Sequence, residues 1–270
     1  MTKYGRISII MSEEHKKYLK KRKKEKIKII TFQLLITVSL ITIWQIAANL
    51  NLINTFISSS PKEIIKTIIK LFSDGTLLHH IFITFYEVII SFILGTSIGT
   101  LLAAILWRYE LLFKILDPYL TMIGSMPKVS LGPIIIIIAG AGIKSIIIMA
   151  LLISVIVTII DVHEAFKNTD INKIKLLKSL KANKNQIFFK LVLPSNYNNL
   201  IKMFKVNIGL VFIGVIMGEF LVSKAGIGYL IMYGSQIFNL NLVMTGIILL
   251  MVMASLMYYI IIIIEKRITK

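Results

Sequence analysis

The chain has 270 residues, 56% of them hydrophobic, and a mean hydropathy of +0.83. Soluble domains hold about 45–50% apolar residues; here they gather into runs reaching the ~18–20 residues that cross a bilayer, which excludes a soluble globular domain. The formal net charge is +18, and the lack of cysteine excludes a disulfide framework or a thiolate metal site.

In chain order, residues 1–28 carry eleven Lys or Arg, including KKYLKKRKKEKIK at 16–28. A cleaved signal peptide would have a shorter basic region and a small-residue cleavage site. The expectation is an uncleaved cytoplasmic tail over 1–28, followed by a transmembrane domain over 29–270. Such a run can also bind nucleic acid, but membrane orientation accounts for it, so no nucleic-acid partner is expected.

The fold class expected is all-α, a polytopic membrane protein with about six transmembrane helices. The spans fall near 29–49, 83–106, 115–138, 145–162, 200–221 and 241–264. Between the first two, SSPKEIIKTIIKLFSDG offers Ser60 as an N-cap, Pro61 in the first turn and Gly75 as a stop. Ile64, Ile65, Ile68, Ile69 and Phe72 share one face, which predicts a short amphipathic helix lying on the membrane. His79 and His80 come next with no carboxylate cluster beside them, so an ordinary loop position is expected rather than a metal site.

Orientation follows from the basic residues. With the N-terminus inside, the internal segments hold eleven in the tail, two at Arg108 and Lys114, nine from Lys167 to Lys205, and three at the C-terminus. The external segments hold five: Lys62, Lys66, Lys70, Lys144 and Lys224. Both termini are therefore expected in the cytoplasm.

The third span is irregular. DPYLTMIGSMPKVSLGPIIIIIAGAG contains Pro118, Pro127 and Pro133, with Lys128 in the middle. Prolines remove backbone donors, and irregular backbone at bilayer depth is tolerated where it faces protein or a watery cavity. Interrupted helices of this kind border transport paths; a kinked packing helix is the other reading. Glu87 and Glu219 are acids at or near membrane depth, costly unless paired or wet. Lys128 is a candidate partner for either, or a site for an anionic substrate. Alternatively all three lie near span ends and reach water by snorkelling. Gly95 to Gly99 and Gly214 to Gly218 have the GxxxG spacing that permits close helix packing.

Residues 163–198 form the longest internal basic loop. Asp170 or Thr169 can cap a helix whose apolar residues Ile174, Leu177 and Leu180 recur on one face, with Lys173, Lys175, Lys178 and Lys181 around them. After Asn183 a second apolar set, Ile187, Phe188, Leu191 and Val192, leads to Pro194. This predicts a cytoplasmic helix–turn–helix between spans 4 and 5. Its apolar stripe is too short to span, so it must lie on the membrane, pack on other spans or dock into a partner's groove.

Here the sequence resembles the permease subunits of bacterial ABC importers. Their last cytoplasmic loop carries Glu-Ala-Ala, three residues, Gly, nine residues, an apolar residue, any residue, Leu and Pro. This chain has Lys175-Leu176-Leu177, three residues, Lys181, nine residues, and Leu191-Val192-Leu193-Pro194. The spacing and the Leu-Pro end match; the Glu, both Ala and the Gly do not. SSPKEI with SDGTLLHH, the Pro-rich third span, GEFLVSKAGIGYLI at 218–231 and EKRI at 265–268 are similar to the nitrate, sulfonate and taurine branch. Glu87 departs from that branch, which usually shows Arg there, and Ser91 stands where Gly is usual.

The resemblance implies a permease homodimer in the bacterial cell membrane, two cytoplasmic ABC ATPase subunits and an extracytoplasmic substrate-binding protein. It implies ATPase coupling through Ile174, Lys175, Leu177, Leu180, Lys181, Ala182, Leu193 and Pro194, and a translocation path near Pro127, Lys128, Glu87 and Glu219. The sequence has no GxxxxGK[ST] P-loop, so ATP hydrolysis is expected in a partner, with no cofactor in this chain. A membrane coupling component of a vitamin-uptake system and an ion-driven secondary transporter remain the other classes. At the loop's turn, Asn183 tolerates a left-handed backbone better than Lys181. The pivot is therefore expected at Asn183, with Lys181 still helical.

Overall fold

The basic run at 16–28 is helical. In the computed structural model, which describes residues 13–268, α1 (Glu13–Asn49) continues unbroken from that run through the first apolar segment. Lys, Arg and Glu are good helix formers, so no break separates tail from span at residue 28. Residues 1–12 of the expected tail and residues 269–270 lie outside the described residues.

The chain falls into two compact units, Met1–Glu63 and Ile64–Lys270. The first holds α1, α2 (Thr55–Ser58) and the start of α3 (Pro61–Ser73). Gln45 ties the end of α1 to the first turn of α3: its Oε1 accepts from the Lys62 N–H at 3.0 Å, and its Nε2 donates to Asn49 at 2.9 Å. Ser60 caps α3 as expected, its hydroxyl oxygen accepting from the Glu63 N–H at 3.3 Å.

The second unit takes up the rest of α3, whose Ile65, Ile69 and Phe72 are exposed. Gly75, at φ 71°, ends that helix and donates to the Phe72 carbonyl. Next come α4 (Thr76–Arg108), α5 (Glu110–Ser125), a 3-10 turn (Lys128–Leu131), α6 (Gly132–Ala139), α7 (Ile143–Lys167) and α8 (Ile171–Ser179). After them are α9 (Lys184–Ile187), a π-turn (Phe188–Val192), α10 (Leu193–Ser195), α11 (Tyr197–Val222), α12 (Ile227–Gln236) and α13 (Leu240–Ile268). Among the described residues there is no strand.

Among the described residues five helices, α1, α4, α7, α11 and α13, are long and apolar enough to cross a membrane. Each extends beyond its predicted limits, because polar end residues prolong a helix past its apolar stretch. His79 and His80 accordingly lie in the first turns of α4, not in a loop. The third predicted span is two pieces, α5 and α6, bent by 88°. The break falls where the prolines require it: Met126, before Pro127, is extended, and Pro133 sits in the first turn of α6.

In the second unit α7 is gripped on two sides by glycines. On α4, a Cβ at Gly99 would come within 2.6 Å of Thr158, and one at Gly95 would strike Ser154. On α11, a Cβ at Gly218 would lie 2.9 Å from the Ile146 Cα, and one at Gly214 would overlap Ala150. Both GxxxG pairs are therefore helix–helix contacts. Val88, Ile146, Ala150, Val211 and Val215 are fully buried around them.

Candidate functional site

The loop between α7 and α11 is built from caps. Asp170 accepts from the Asn172 N–H at 2.8 Å and starts α8. Thr169 and Asn196 close the base of the loop. The Asn196 Nδ2 donates to the Thr169 hydroxyl oxygen and to the Val192 carbonyl, both at 2.9 Å, and the Thr169 hydroxyl donates to the Phe166 carbonyl at 2.9 Å. Thr169 and Asn196 are both buried.

Helix α8 ends in a Schellman motif. The Ala182 N–H donates to the Leu177 carbonyl at 3.0 Å and the Lys181 N–H to the Lys178 carbonyl at 2.9 Å. The left-handed residue is Lys181, at φ 58°. The expectation that the chain pivots at Asn183 is thus overturned. Asn183 is extended and forms a capping box with Gln186 for α9, the two side chains each accepting a backbone N–H at 2.8 Å. The cap needs an extended backbone, so the turn must come earlier, at the position where the family motif places Gly.

The apolar residues of the loop divide between two environments. Ile174, Leu177, Ala182, Phe188 and Leu193 pack against buried Ala103, Val162, Phe166, Ile187, Val192 and Leu200. Phe188 meets the rings of Trp107 at 5.2 Å and Phe166 at 5.4 Å. Fully burying a side chain such as Phe166 stabilises by about 1.5–3 kcal/mol, so this face holds the loop to the chain's own helices. Leu180 does not share it: at the end of α8 it is 69% exposed, as Leu176 is at 61%. Lys175, Lys181 and Pro194 are exposed too. The π-turn fits Pro194, which lacks an N–H; the Leu193 N–H reaches back five residues to Phe188.

The residues expected on a path lie in two places. Pro127 and Lys128 sit at the break between α5 and α6. The Lys128 Nζ donates to the Gly124 carbonyl at 2.6 Å, so it caps α5 and does not pair with either acid. Glu87 and Glu219 are buried, which rules out the snorkelling alternative for both. The Glu219 Oε1 accepts from the Thr84 hydroxyl at 2.6 Å, and its Oε2 accepts from the N–H groups of Gly228 and Tyr229 at the start of α12. Thr84 in turn accepts from the Ile227 N–H at 2.7 Å. Gly226, at φ 115°, donates to the Nδ1 of His80 at 3.0 Å. This carboxylate therefore satisfies the open N–H groups of a helix start. The Gly-Ile-Gly sequence makes room for it: a Cβ at Gly226 would collide with the carboxyl, and one at Gly228 would come within 2.7 Å of Oε2. The acid followed by Gly-x-Gly was visible in the sequence; the parts of Thr84, His80, Thr169 and Asn196 carried no sequence signal.

Residues 95–270 match the family of binding-protein-dependent transport system inner membrane components. The chain belongs to this family. It is 25% identical over 237 residues to a putative aliphatic sulfonates transport permease of Bacillus subtilis (strain 168), covering 88% of this chain and 86% of the relative. It is 19% identical over 223 residues to the taurine transport system permease of Escherichia coli (strain K12), with 81% of each chain covered. A chain of the methionine ABC transporter MetNI, solved in inward-facing form, shares the fold, with a TM-score of 0.65 and 17% identity over 73% of this chain and 98% of that one. The protein is thus a multi-pass ABC importer permease, and ATP hydrolysis lies in a partner subunit.

Proposed function

We propose that this permease passes a small anionic solute of the sulfonate or taurine kind across the cell membrane, and that α8 couples it to a cytoplasmic ABC ATPase. Two copies would enclose the pathway, an extracytoplasmic binding protein would deliver solute, and both termini would face the cytoplasm. The observation that carries the coupling reading is the division of the loop. Ile174, Leu177 and Ala182 are held against the chain's own helices, whereas Leu176 and Leu180 stand exposed beside Lys175 and Lys181. Exposed apolar side chains ringed by lysines suit a partner's groove, with the anchors buried and the charges at the rim. A loop fixed to the spans on one face can pass the partner's motion on to them. Leu193 and Pro194 then act within the permease, fixing the loop's exit into α11.

Co-purification tests the assignment. Leu176→Asp with Leu180→Asp should abolish retention of the cognate ABC ATPase while leaving the permease's own melting temperature within about 2 °C, a surface-substitution effect. Full retention of the ATPase by that variant would remove α8 from the contact. Binding-protein-dependent uptake of taurine or an alkanesulfonate by the assembled complex tests the solute class.

A further inference from the structure

At the loop's end of α4, a cleft of about 490 Å3 opens between the α4–α5 junction, the end of α7 and the two loop helices. Arg108, Lys114, Lys167, Lys178 and Lys184 line it. Two acids, Glu110 and Asp117, stand among them, and Glu110 is taken up by Lys114 at 2.9 Å. That leaves four cations facing one carboxylate. The Arg108 Nη1 is shut off from solvent, with no hydrogen-bond partner among the described residues. A buried guanidinium N–H without an acceptor is destabilising, and the same guanidinium side chain belongs to the wall of the cleft, where a small shift would let an anion accept from it. Lys184 reaches across from α9 to the Arg108 carbonyl at 3.4 Å, which brings the two cationic walls together. Trp107 and Phe113 supply an apolar side to the same cleft.

We infer that this cleft is a binding site for a phosphate group, separate from the solute pathway and from the ATPase contact. A guanidinium with lysines on three further elements matches the charge and acceptor geometry of a phosphate. Because its walls come from both the spans and the loop, an occupant would hold the loop against α4. The phosphate can come from the headgroup of an anionic lipid or from a soluble ion, since the cleft lies at a helix end. The inference stands independently of the solute proposed above.

Trp107 makes the site readable, because Trp44→Phe leaves it as the chain's single tryptophan. The full-length Trp44→Phe chain in phosphatidylcholine nanodiscs would be titrated with dioctanoyl phosphatidylglycerol and, separately, with inorganic pyrophosphate. A saturable change in emission is expected with at least one. Lipid alone identifies a headgroup site, pyrophosphate alone a soluble-anion site, and both a site for the phosphate itself. Arg108→Gln with Lys184→Gln should raise the half-saturating concentration about tenfold or more, as loss of charge-assisted hydrogen bonds does. Lys190→Gln, outside the cleft, should not. If the Arg108 variant does not elute as the parent, Lys178→Gln with Lys184→Gln gives the same measurement. No saturation with either probe, or an equal loss with Lys190→Gln, overturns the site.

Discussion

The amide of Asn196 meets the hydroxyl of Thr169 at 2.9 Å across 27 residues of chain, joining the residue that precedes the cap of α8 to the residue that precedes α11. Both are buried, and Asn196 also holds the Val192 carbonyl. The contact fixes where the loop leaves the membrane helices and where it returns. Replacing Asn196 by Leu leaves two buried acceptors with one donor fewer each. The expected loss is about 1–3 kcal/mol per group left unsatisfied, read as a fall in melting temperature of the purified permease. Thr169→Val should cost less, because Asn196 keeps its bond to Val192. Equal melting temperatures for Asn196→Leu and the parent would show that the clasp contributes nothing to holding the loop.

Lys181 occupies a left-handed backbone at the end of α8, a conformation that costs a side-chain-bearing residue about 1–2 kcal/mol relative to glycine. Lys181→Gly should therefore raise the melting temperature, by an amount equivalent to about 1 kcal/mol. Lys181→Ala removes the same charge but keeps a Cβ, so it should give no such gain. A rise with alanine equal to that with glycine would assign the effect to charge instead of backbone.

That turn also shows how far the sequence could be read. The caps at Ser60 and Asp170 and the stop at Gly75 each depend on neighbours in sequence and were legible there; the Pro-rich third span was legible as irregular, with an interrupted and a kinked helix both open. The pivot at Lys181 was not legible. Asn183 has the better left-handed propensity, but a capping box with Gln186 engages it, and the Schellman bonds to Leu177 and Lys178 place the turn two residues earlier. Leu180 lies off the packed face of Ile174 and Leu177, because α8 ends at Ser179. The partners of Glu219 come from α4 and α12, far away in sequence, and only the packing of three helices reveals them.

Glu219 is held by three donors: the Thr84 hydroxyl and the N–H groups of Gly228 and Tyr229. Glu219→Leu would strand all three in a buried site, at about 1–3 kcal/mol each. The variant is expected to lose folded yield in the membrane, measured as the monodisperse fraction on size exclusion. Glu219→Gln keeps an acceptor oxygen for the N–H groups and should retain more of that yield. Gly228→Ala, whose Cβ would press on Oε2, should behave like the leucine variant even though no polar group is removed. Full yield from Gly228→Ala would show that α12 can move away from the carboxylate without loss.

Helix α11 carries three glycines whose surroundings differ, and they separate packing from propensity. Gly214 and Gly218 lie against the backbone of α7, while nothing stands within 4 Å of a Cβ built at Gly209. Gly214→Ala and Gly218→Ala must push α7 and α11 apart; overpacking of this kind costs about 1–3 kcal/mol. Gly209→Ala meets no obstacle and replaces the most flexible residue inside a helix, so it should stabilise by roughly 0.5–1 kcal/mol. Thermal melts of the three single variants in one detergent decide the matter. The expected order is Gly209→Ala above the parent and both others below it. A Gly214→Ala chain melting at or above the parent would mean that α7 and α11 are not in backbone contact at Ala150.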